Sequence, residues 1–301
     1  MDWMFNFPFE LKLNLKAIDG AIKGFSADYD AILTAIKAGL TGMVSGIRSL
    51  IAIIPWWLLI IIVAFLGWKS SGKKRKGILY GIMLFLIGVF GYWGLMNDTL
   101  AIVITAVVIA LAIGLPIGIL ISGSVQANRI LRPVMDTMQT MPVFVYLIPA
   151  VMFFGLGQAP AVIATVIYAV VPVIRLTSLG IRQVDREVVE AARAFGSTKM
   201  QALFKVQIPQ ALPTIMTGVN QTLMMAMAMV VTCSMIGATG LGMEVLIGVQ
   251  RTEMGRGLIA GSCVVIIAIL MDRLTQGWFK EKEVREEAET LKAALTERLS
   301  R

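Results

Sequence analysis

Residues 190–209 have the sequence EAARAFGSTKMQALFKVQIP, a charged segment that lies between two long apolar runs. The residues before Gly196 are good helix formers, and Gly196 can take the left-handed conformation that ends a helix. Ser197 can then cap a second short helix over 198–206, and Pro209 opposes its direct continuation into the next apolar run. The segment therefore predicts two short helices that meet at a tight turn.

The rest of the chain has the composition of an all-α polytopic membrane protein. Of its 301 residues, 57% are hydrophobic and 15% are charged, and the mean hydropathy is +0.80. Soluble domains average about 25% charged residues, and a bilayer core of about 30 Å needs roughly 20 consecutive apolar residues to cross it. We predict about seven membrane-spanning helices, at 50–68, 77–95, 100–121, 134–154, 161–174, 213–236 and 258–271.

Basic residues alternate between the predicted loops. The loops after the first, third and fifth spans are rich in Lys and Arg, whereas the intervening loops are near neutral. The positive-inside rule places the basic loops in the cytoplasm, the N-terminus outside and the C-terminus inside. The net charge of +8 could also indicate a nucleic-acid-binding face, but alternation with spans favours an orientation signal. The basic loop residues are Lys69, Lys73, Lys74, Arg75, Lys76, Arg129, Arg132, Arg175, Arg182, Arg186, Arg193, Lys199 and Lys205.

The residue inventory argues against most catalytic chemistry. The chain has no histidine, which is the commonest metal ligand and general base. Cys233 and Cys263 lie in apolar runs, where small buried hydrophobes are expected rather than a disulfide or metal pair. Residues 71–74 lack the glycine spacing of a phosphate-binding loop, so any ATP chemistry belongs to another chain. We therefore assign no catalytic residue, no metal site and no cofactor to this chain.

Both ends of the chain carry helical patterns outside the predicted spans. Apolar residues at steps of three and four in the N-terminal tail predict an amphipathic helix on the outer membrane surface, with a partner-binding helix as the alternative. Residues 280–301 predict a solvated cytoplasmic helix, which is either a charged stop-transfer tail or a regulatory element. The N-terminal stripe consists of Ile18, Ile22, Phe25, Tyr29, Ile32, Ile36, Leu40, Met43 and Ile47.

The charged segment resembles a known signature. Glu190-Ala191-Ala192, Gly196 and then 206–209 are similar to the EAA motif of the permease subunits of ABC importers, with Val206 and Ile208 as mild departures. The osmoprotectant branch of these permeases, for glycine betaine/proline and choline/carnitine, is resembled at 138–149, 175–177, 204–207, 218–224 and 272–276. The resemblance covers roughly residues 100–276.

The resemblance implies a type I ABC importer permease fold in the bacterial plasma (inner) membrane. It implies a homodimer in membrane lipid, two ATP-binding subunits that hold ATP and Mg²⁺, and an extracytoplasmic substrate-binding protein, with no nucleic-acid partner. In this family the EAA segment is the coupling helix that inserts into a groove of the ATPase. The ATPase-coupling residues implied here are Glu190, Ala191, Ala192, Arg193, Gly196, Lys199 and Pro209.

Four regions follow from these patterns. An N-terminal extracytoplasmic tail occupies 1–48, and the first two transmembrane helices occupy 49–96. A core permease domain occupies 97–279 and contains the cytoplasmic coupling segment 175–209. The charged cytoplasmic helix at 280–301 ends the chain.

Two further sets of residues are candidates for transport. Amide and methionine side chains near the fourth and sixth spans are candidates for the translocation path or gate, with ordinary helix packing as the alternative for each methionine. The outer loop 237–257 is a candidate contact for the binding protein, or else a passive amphipathic loop. Prolines at 142, 149 and 172 predict kinks. The path candidates are Met141, Asn220, Gln221, Met224, Met225 and Met227, and the loop candidates are Glu244, Arg251, Glu253 and Arg256.

The predicted function is that of the transmembrane permease subunit of an ATP-driven importer. The resemblance indicates glycine betaine or a related quaternary ammonium or proline compatible solute. A choline- or carnitine-specific permease of the same class is an alternative. A stand-alone secondary transporter, from another class, would need buried ionisable residues for coupling ions, and the apolar centres of the predicted spans offer almost none.

Overall fold

The computed structural model describes residues 14–299, and for Leu15, Ile18, Ala21 and 278–299 it describes the helical backbone alone. All the regular structure in this range is helical, as the sequence predicts. The helices are α1 (Leu15–Asp28), α2 (Asp30–Ile53), α3 (Trp56–Ser71), α4 (Lys74–Val89), α5 (Trp93–Ser122), α6 (Val125–Thr140), α7 (Phe144–Phe154), α8 (Gln158–Arg182), α9 (Arg186–Ala194), α10 (Lys199–Ala202), a π-helical turn (Leu203–Gln207), α11 (Ile208–Ser234), α12 (Leu241–Gln250) and α13 (Met254–Leu299).

The number of membrane spans differs from the predicted seven. Within residues 14–299, five helical stretches are long and apolar enough to cross a membrane: α2, α5, α8, Lys199–Ser234 and Met254–Gly277. A sixth results if α6 and α7 together form one broken span. The predicted first span falls partly in α2 and partly in α3, because the helix breaks at Pro55. The predicted second span is interrupted after Val89 by a turn in which Gly91 has a φ of +79°.

The N-terminal helices pack on the core. The predicted amphipathic helix is present as α1 and α2, and the latter lies against α5, α7 and α8. Val44 is buried in that contact, and Arg48 Nε lies 2.6 Å from the Asp98 carboxylate in α5. The boundary predicted after residue 48 lies inside α2. The depth of this helix relative to the bilayer stays a prediction, and residues 1–13 of the predicted tail lie outside the described part of the chain.

Three helices, α5, α8 and α11, form the centre of the molecule, and small residues let them approach closely. A Cβ placed on Gly118 of α5 would lie 2.7 Å from Cβ of Thr177 in α8, and one on Gly218 of α11 would lie 3.0 Å from Cβ of Leu176. Lipid provides no hydrophobic drive between helices, so transmembrane packing depends on such close backbone approach. The core of the fold is therefore specified by glycine residues at the helix contacts as much as by apolar side chains.

Two predicted boundaries change because of how helices break and continue. The predicted span at 134–154 is instead the pair α6 and α7, bent by 88° at Met141, Pro142 and Val143. The kink predicted at residue 142 is thus confirmed, and it divides the predicted span into two helices. In α8 the helix continues to Arg182, so Arg175, which was predicted in a cytoplasmic loop, lies inside the helix.

The C-terminal prediction falls at the end of α13. The backbone of this helix is continuous from Met254 to Leu299, so residues 280–299 of the predicted helix are its last part rather than a separate element. The side-chain pairs predicted there lie outside the described side chains.

Candidate functional site

The first half of the EAA segment is a capped helix with a left-handed ending. The carboxylate of Asp185 accepts a hydrogen bond of 2.9 Å from the backbone N–H of Glu187, which caps the start of α9. At its end Gly196 has a φ of +84°, a conformation that favours glycine. The N–H of Ser197 donates to the carbonyl of Ala192 at 3.1 Å, which closes the turn. The turn predicted at Gly196 is therefore confirmed.

The second helix of the segment has a different cap from the predicted one. Thr198, not Ser197, caps α10: its hydroxyl accepts from the N–H of Gln201 at 3.3 Å. The Gln201 side chain accepts from the N–H of Thr198 at 2.9 Å. This reciprocal pair is a capping box, and the spacing of Thr and Gln three residues apart was its signal in the sequence.

The segment runs into the next span without a break, so the prediction that Pro209 would stop the helix is wrong. After α10 the chain makes the π-helical turn, in which the N–H of Ile208 donates to the carbonyl of Leu203. This wider turn places Pro209 in the first turn of α11, where a missing N–H is tolerated. One helical path therefore extends over Lys199–Ser234.

The turn between α9 and α10 presents apolar side chains to solvent. Phe195 is 91% exposed, and Met200 and Phe204 are also exposed, whereas Val189 is buried beneath α9. Sequence reasoning missed Phe195, although an aromatic residue directly before a helix-ending glycine was visible. Exposed apolar residues on a charged turn indicate a surface that another protein covers.

The charged members of the predicted coupling set lie around this turn. Glu190, Arg193 and Lys199 are exposed and line a cavity of about 550 Å³ between the turn and the ends of α5 and α8. Ala191 is exposed and Ala192 is partly buried. The structure thus brings the predicted coupling residues together around one turn, apart from Pro209, which lies in α11.

The predicted path residues divide into two groups. Gln221 and Met224 lie on an exposed face of α11 that also includes Thr217 and Ala228. Met227 is buried in the core. The other two methionines, Met141 and Met225, pack against buried apolar clusters.

The remaining path candidate, Asn220, belongs to a polar cluster. Its side-chain N–H donates to the Asp272 carboxylate of α13 at 2.8 Å, and Gln276 donates to the same carboxylate oxygen at 2.6 Å. Asp272 therefore ties α11 to α13 within the span. In the sequence these residues belong to two separate motifs, 218–224 and 272–276, and neither motif indicates that they meet.

Most of the outer charged residues pair with one another. The predicted loop 237–257 contains α12, and Arg256 Nε lies 2.6 Å from the Glu244 carboxylate. The same guanidinium lies 3.3 Å from Glu253. Arg251 is exposed at the end of α12. These charges link α12 to the start of α13, so the predicted loop is largely helical.

Comparison with known proteins gives a consistent result. Residues 110–278 match the family model described as "Binding-protein-dependent transport system inner membrane component". The chain is 45% identical over 270 residues to the glycine betaine/carnitine transport permease protein GbuB of Listeria monocytogenes, covering 88% of this chain and 94% of that one. It is 44% identical over 254 residues to the glycine betaine/proline betaine permease ProW of Escherichia coli, covering 84% and 72%. It is 44% identical over 274 residues to the glycine betaine permease OpuAB of Bacillus subtilis, covering 89% and 95%.

A solved structure supports the same fold. The inward-facing MetNI methionine ABC transporter matches 68% of this chain and 97% of its own, with 24% identity and a TM-score of 0.53. At that identity the likeness concerns the fold alone. The family model covers more than half of the chain, and two of the relatives are covered almost completely. The chain therefore belongs to the family of binding-protein-dependent transport system inner membrane components, the permease subunits of ABC importers.

Proposed function

We propose that this chain is the membrane-spanning subunit of an ATP-driven importer of glycine betaine or a closely related compatible solute. The names of the three relatives share glycine betaine, whereas carnitine and proline betaine each occur in one of them. The shared solute supports glycine betaine over a choline- or carnitine-specific permease.

The observation that carries the proposal is the structure of the turn between α9 and α10, residues 195–198, which we call the coupling turn. Phe195 is 91% exposed at a turn whose two helices are both capped by side chains. Its second helix is continuous with a stretch of 36 residues that ends at Ser234, which at 1.5 Å per residue is about 54 Å long. A displacement applied at the turn would reach the far end of α11 along one helix. This is the property that a separate ATP-binding subunit needs in order to move the membrane domain.

The proposed assembly has two copies of this chain, two ATP-binding subunits that hold ATP and Mg²⁺, and an extracytoplasmic binding protein. The exposed face of α11, with Thr217, Gln221 and Met224, supports a second copy, because amide and hydroxyl groups in a span need a partner helix or a watery path. The alternation of basic loops supports an outer N-terminus and a cytoplasmic C-terminus in the bacterial inner membrane. The ion-paired outer end of α12, with Arg251 exposed beside it, is the proposed contact for the binding protein.

Reconstitution tests the proposal. The chain is placed in proteoliposomes alone, with the ATPase subunit, and with both the ATPase and the binding protein, and uptake of labelled glycine betaine is measured with ATP on the ATPase side. We expect uptake only in the proteoliposomes that contain the chain, the ATPase subunit and the binding protein together. Uptake by this chain alone would contradict the proposal and favour a secondary transporter.

A further inference from the structure

The amphipathic helix α6 carries a polar strip that sequence analysis did not assign to transport. Its residues line an open cavity of about 550 Å³. Polar side chains at membrane depth normally face a partner helix or a watery path, and α6 and α7 are the bent pair that is together long and apolar enough to count as one broken span. The polar residues that line the cavity are Asn128, Arg129, Arg132, Asp136, Thr137 and Thr140.

An ion pair joins this strip to the core. Arg175 Nη2 lies 2.6 Å from Asp136 Oδ1, and the side chains are 42% and 52% exposed, respectively. Arg175 lies seven residues before Arg182, the last residue of α8, which is about 10 Å along the helix axis. The pair therefore lies within the part of α8 that is long and apolar enough to cross a membrane, and not in the loop that follows it. Ionisable residues at such a depth are expensive, and they commonly mark a solute or ion pathway.

The exposure of both partners decides what this pair can do. The cavity beside Asp136 is open, and an ion pair that water can reach contributes little to stability, so either group can exchange its partner at small cost. The planar guanidinium of Arg175 is suited to bind a carboxylate through two parallel hydrogen bonds. The carboxylate of Asp136, once released, attracts a cation.

We propose that Arg175 and Asp136 form a transient binding site for a zwitterionic solute on its way to the cytoplasm. In this site the guanidinium binds the carboxylate of the solute, and Asp136 faces its quaternary ammonium group. A zwitterion replaces both halves of the ion pair at once, and the pair closes again when the solute leaves. A solute with a positive charge only, such as choline, would neutralise Asp136 but leave Arg175 without its carboxylate.

This inference rests on the proposed function, because glycine betaine carries both charges on one small molecule. It adds a contact inside the membrane domain to the recognition made by the external binding protein. It also differs from the path residues predicted on α11, since Asp136 lies on α6 and Arg175 on α8.

The test uses the complete transporter in proteoliposomes with the double substitution Asp136→Asn and Arg175→Gln. These side chains keep a hydrogen bond of similar shape, so a purely structural contact is largely retained. We expect uptake of glycine betaine to fall about tenfold to a hundredfold, as expected for the loss of charge-assisted contacts. ATP hydrolysis stimulated by the loaded binding protein should stay within about twofold, because docking and assembly are unchanged. The matched control is Arg129→Gln, which removes a positive charge from the same cavity and should leave uptake unchanged.

A second measurement detects the contact itself. Saturation-transfer NMR is recorded on the N-methyl protons of glycine betaine with the permease–ATPase complex in the absence of the binding protein. The unaltered complex should transfer saturation to these protons, and the doubly substituted complex should not.

Three results would overturn the inference while leaving the proposed function in place. They are unchanged uptake by the double variant, an equal loss with Arg129→Gln, or equal saturation transfer in both complexes. Absence of glycine betaine uptake by the unaltered complete transporter would instead overturn the proposed function, and this inference with it.

Discussion

The turn around Gly196 exposes large apolar side chains to solvent, whereas the contacts among α5, α8 and α11 are made at alanine and glycine residues that bury little or no side chain. Phe195 is 91% exposed, but Ala106 and Ala110 of α5 and Ala161 of α8 are fully buried. In the proposed function the turn is covered by the ATP-binding subunit, whereas the core brings helix backbones together. The comparison separates residues that act in assembly from residues that act in folding, and this difference can be measured.

The largest effect is expected in the core, from Gly118→Val. A Cβ at this position would lie 2.7 Å from Cβ of Thr177 and 2.9 Å from the carbonyl oxygen of Ile174, so α5 and α8 must separate. Overpacking of this kind costs about 1–3 kcal/mol or more. We expect a lower melting temperature and poor recovery of folded permease from membranes.

The matched control is Gly261→Val in α13, where a Cβ meets no atom within 4 Å. Its melting temperature should stay close to that of the unaltered chain. An equal decrease in melting temperature at both positions would show that replacing any glycine in a span is harmful. It would contradict the claim that Gly118 matters because it lets α5 and α8 approach closely.

In the turn between α9 and α10, Phe195→Asp should weaken assembly with the ATP-binding subunit without affecting folding. An exposed aromatic anchor at an interface typically contributes about 2 kcal/mol or more, which corresponds to roughly thirtyfold in affinity. The affinity of the purified permease for the ATPase subunit should fall by about that factor, while the melting temperature of the free permease is unchanged. Phe195→Leu is the control that keeps an apolar side chain, and a full loss with that substitution would argue against an apolar contact.

A smaller effect is expected from Gly196→Val, which should uncouple ATP hydrolysis from transport. The φ of +84° is strained for a β-branched residue by about 1–3 kcal/mol, so the turn would relax and reorient α9 relative to α10. The number of solute molecules transported per ATP should decrease, with membrane insertion intact. Gly196→Asn tolerates this conformation better and should keep most of the coupling.

The smallest effect separates the observed cap from the predicted one. Thr198→Ala removes the capping box and should destabilise the start of α10 by about 1 kcal/mol. Amide hydrogen exchange over residues 199–207 should become several times faster. Ser197→Ala should leave the exchange rates unchanged, and the opposite ranking would restore the sequence-based assignment.

Local signals in the sequence were sufficient for much of the coupling turn. Gly196 was predicted correctly because the need for a positive φ is a property of a single residue. The break at Pro142 was also predicted from one residue, because a proline inside a helix lacks the N–H that the helix needs. The helix was wrongly predicted to end before Pro209. The π-helical turn that accommodates this proline depends on a shift in backbone hydrogen bonding, and no single residue type indicates such a shift.

Contacts between distant helices could not be predicted in this way. The pairs Asn220–Asp272 and Arg175–Asp136 join residues that lie 52 and 39 positions apart. The span count failed for a related reason: α3 is an apolar helix of 16 residues, and hydropathy does not show where Pro55 divides it from α2. Close approach at Gly118 needs the position of α8, and the sequence of α5 does not contain that information.

The most direct test of the account is chemical cross-linking from the coupling turn. Phe195→Cys places a reactive thiol on the exposed turn, and both native cysteines, Cys233 and Cys263, are buried. A short thiol–amine cross-linker is added to the complete transporter in membranes. We predict a covalent product of this chain with the ATP-binding subunit, at a yield that changes when ATP binds. A product with lipid or with the external binding protein, and none with the ATP-binding subunit, would contradict the claim that ATP-driven motion enters the membrane domain through this turn.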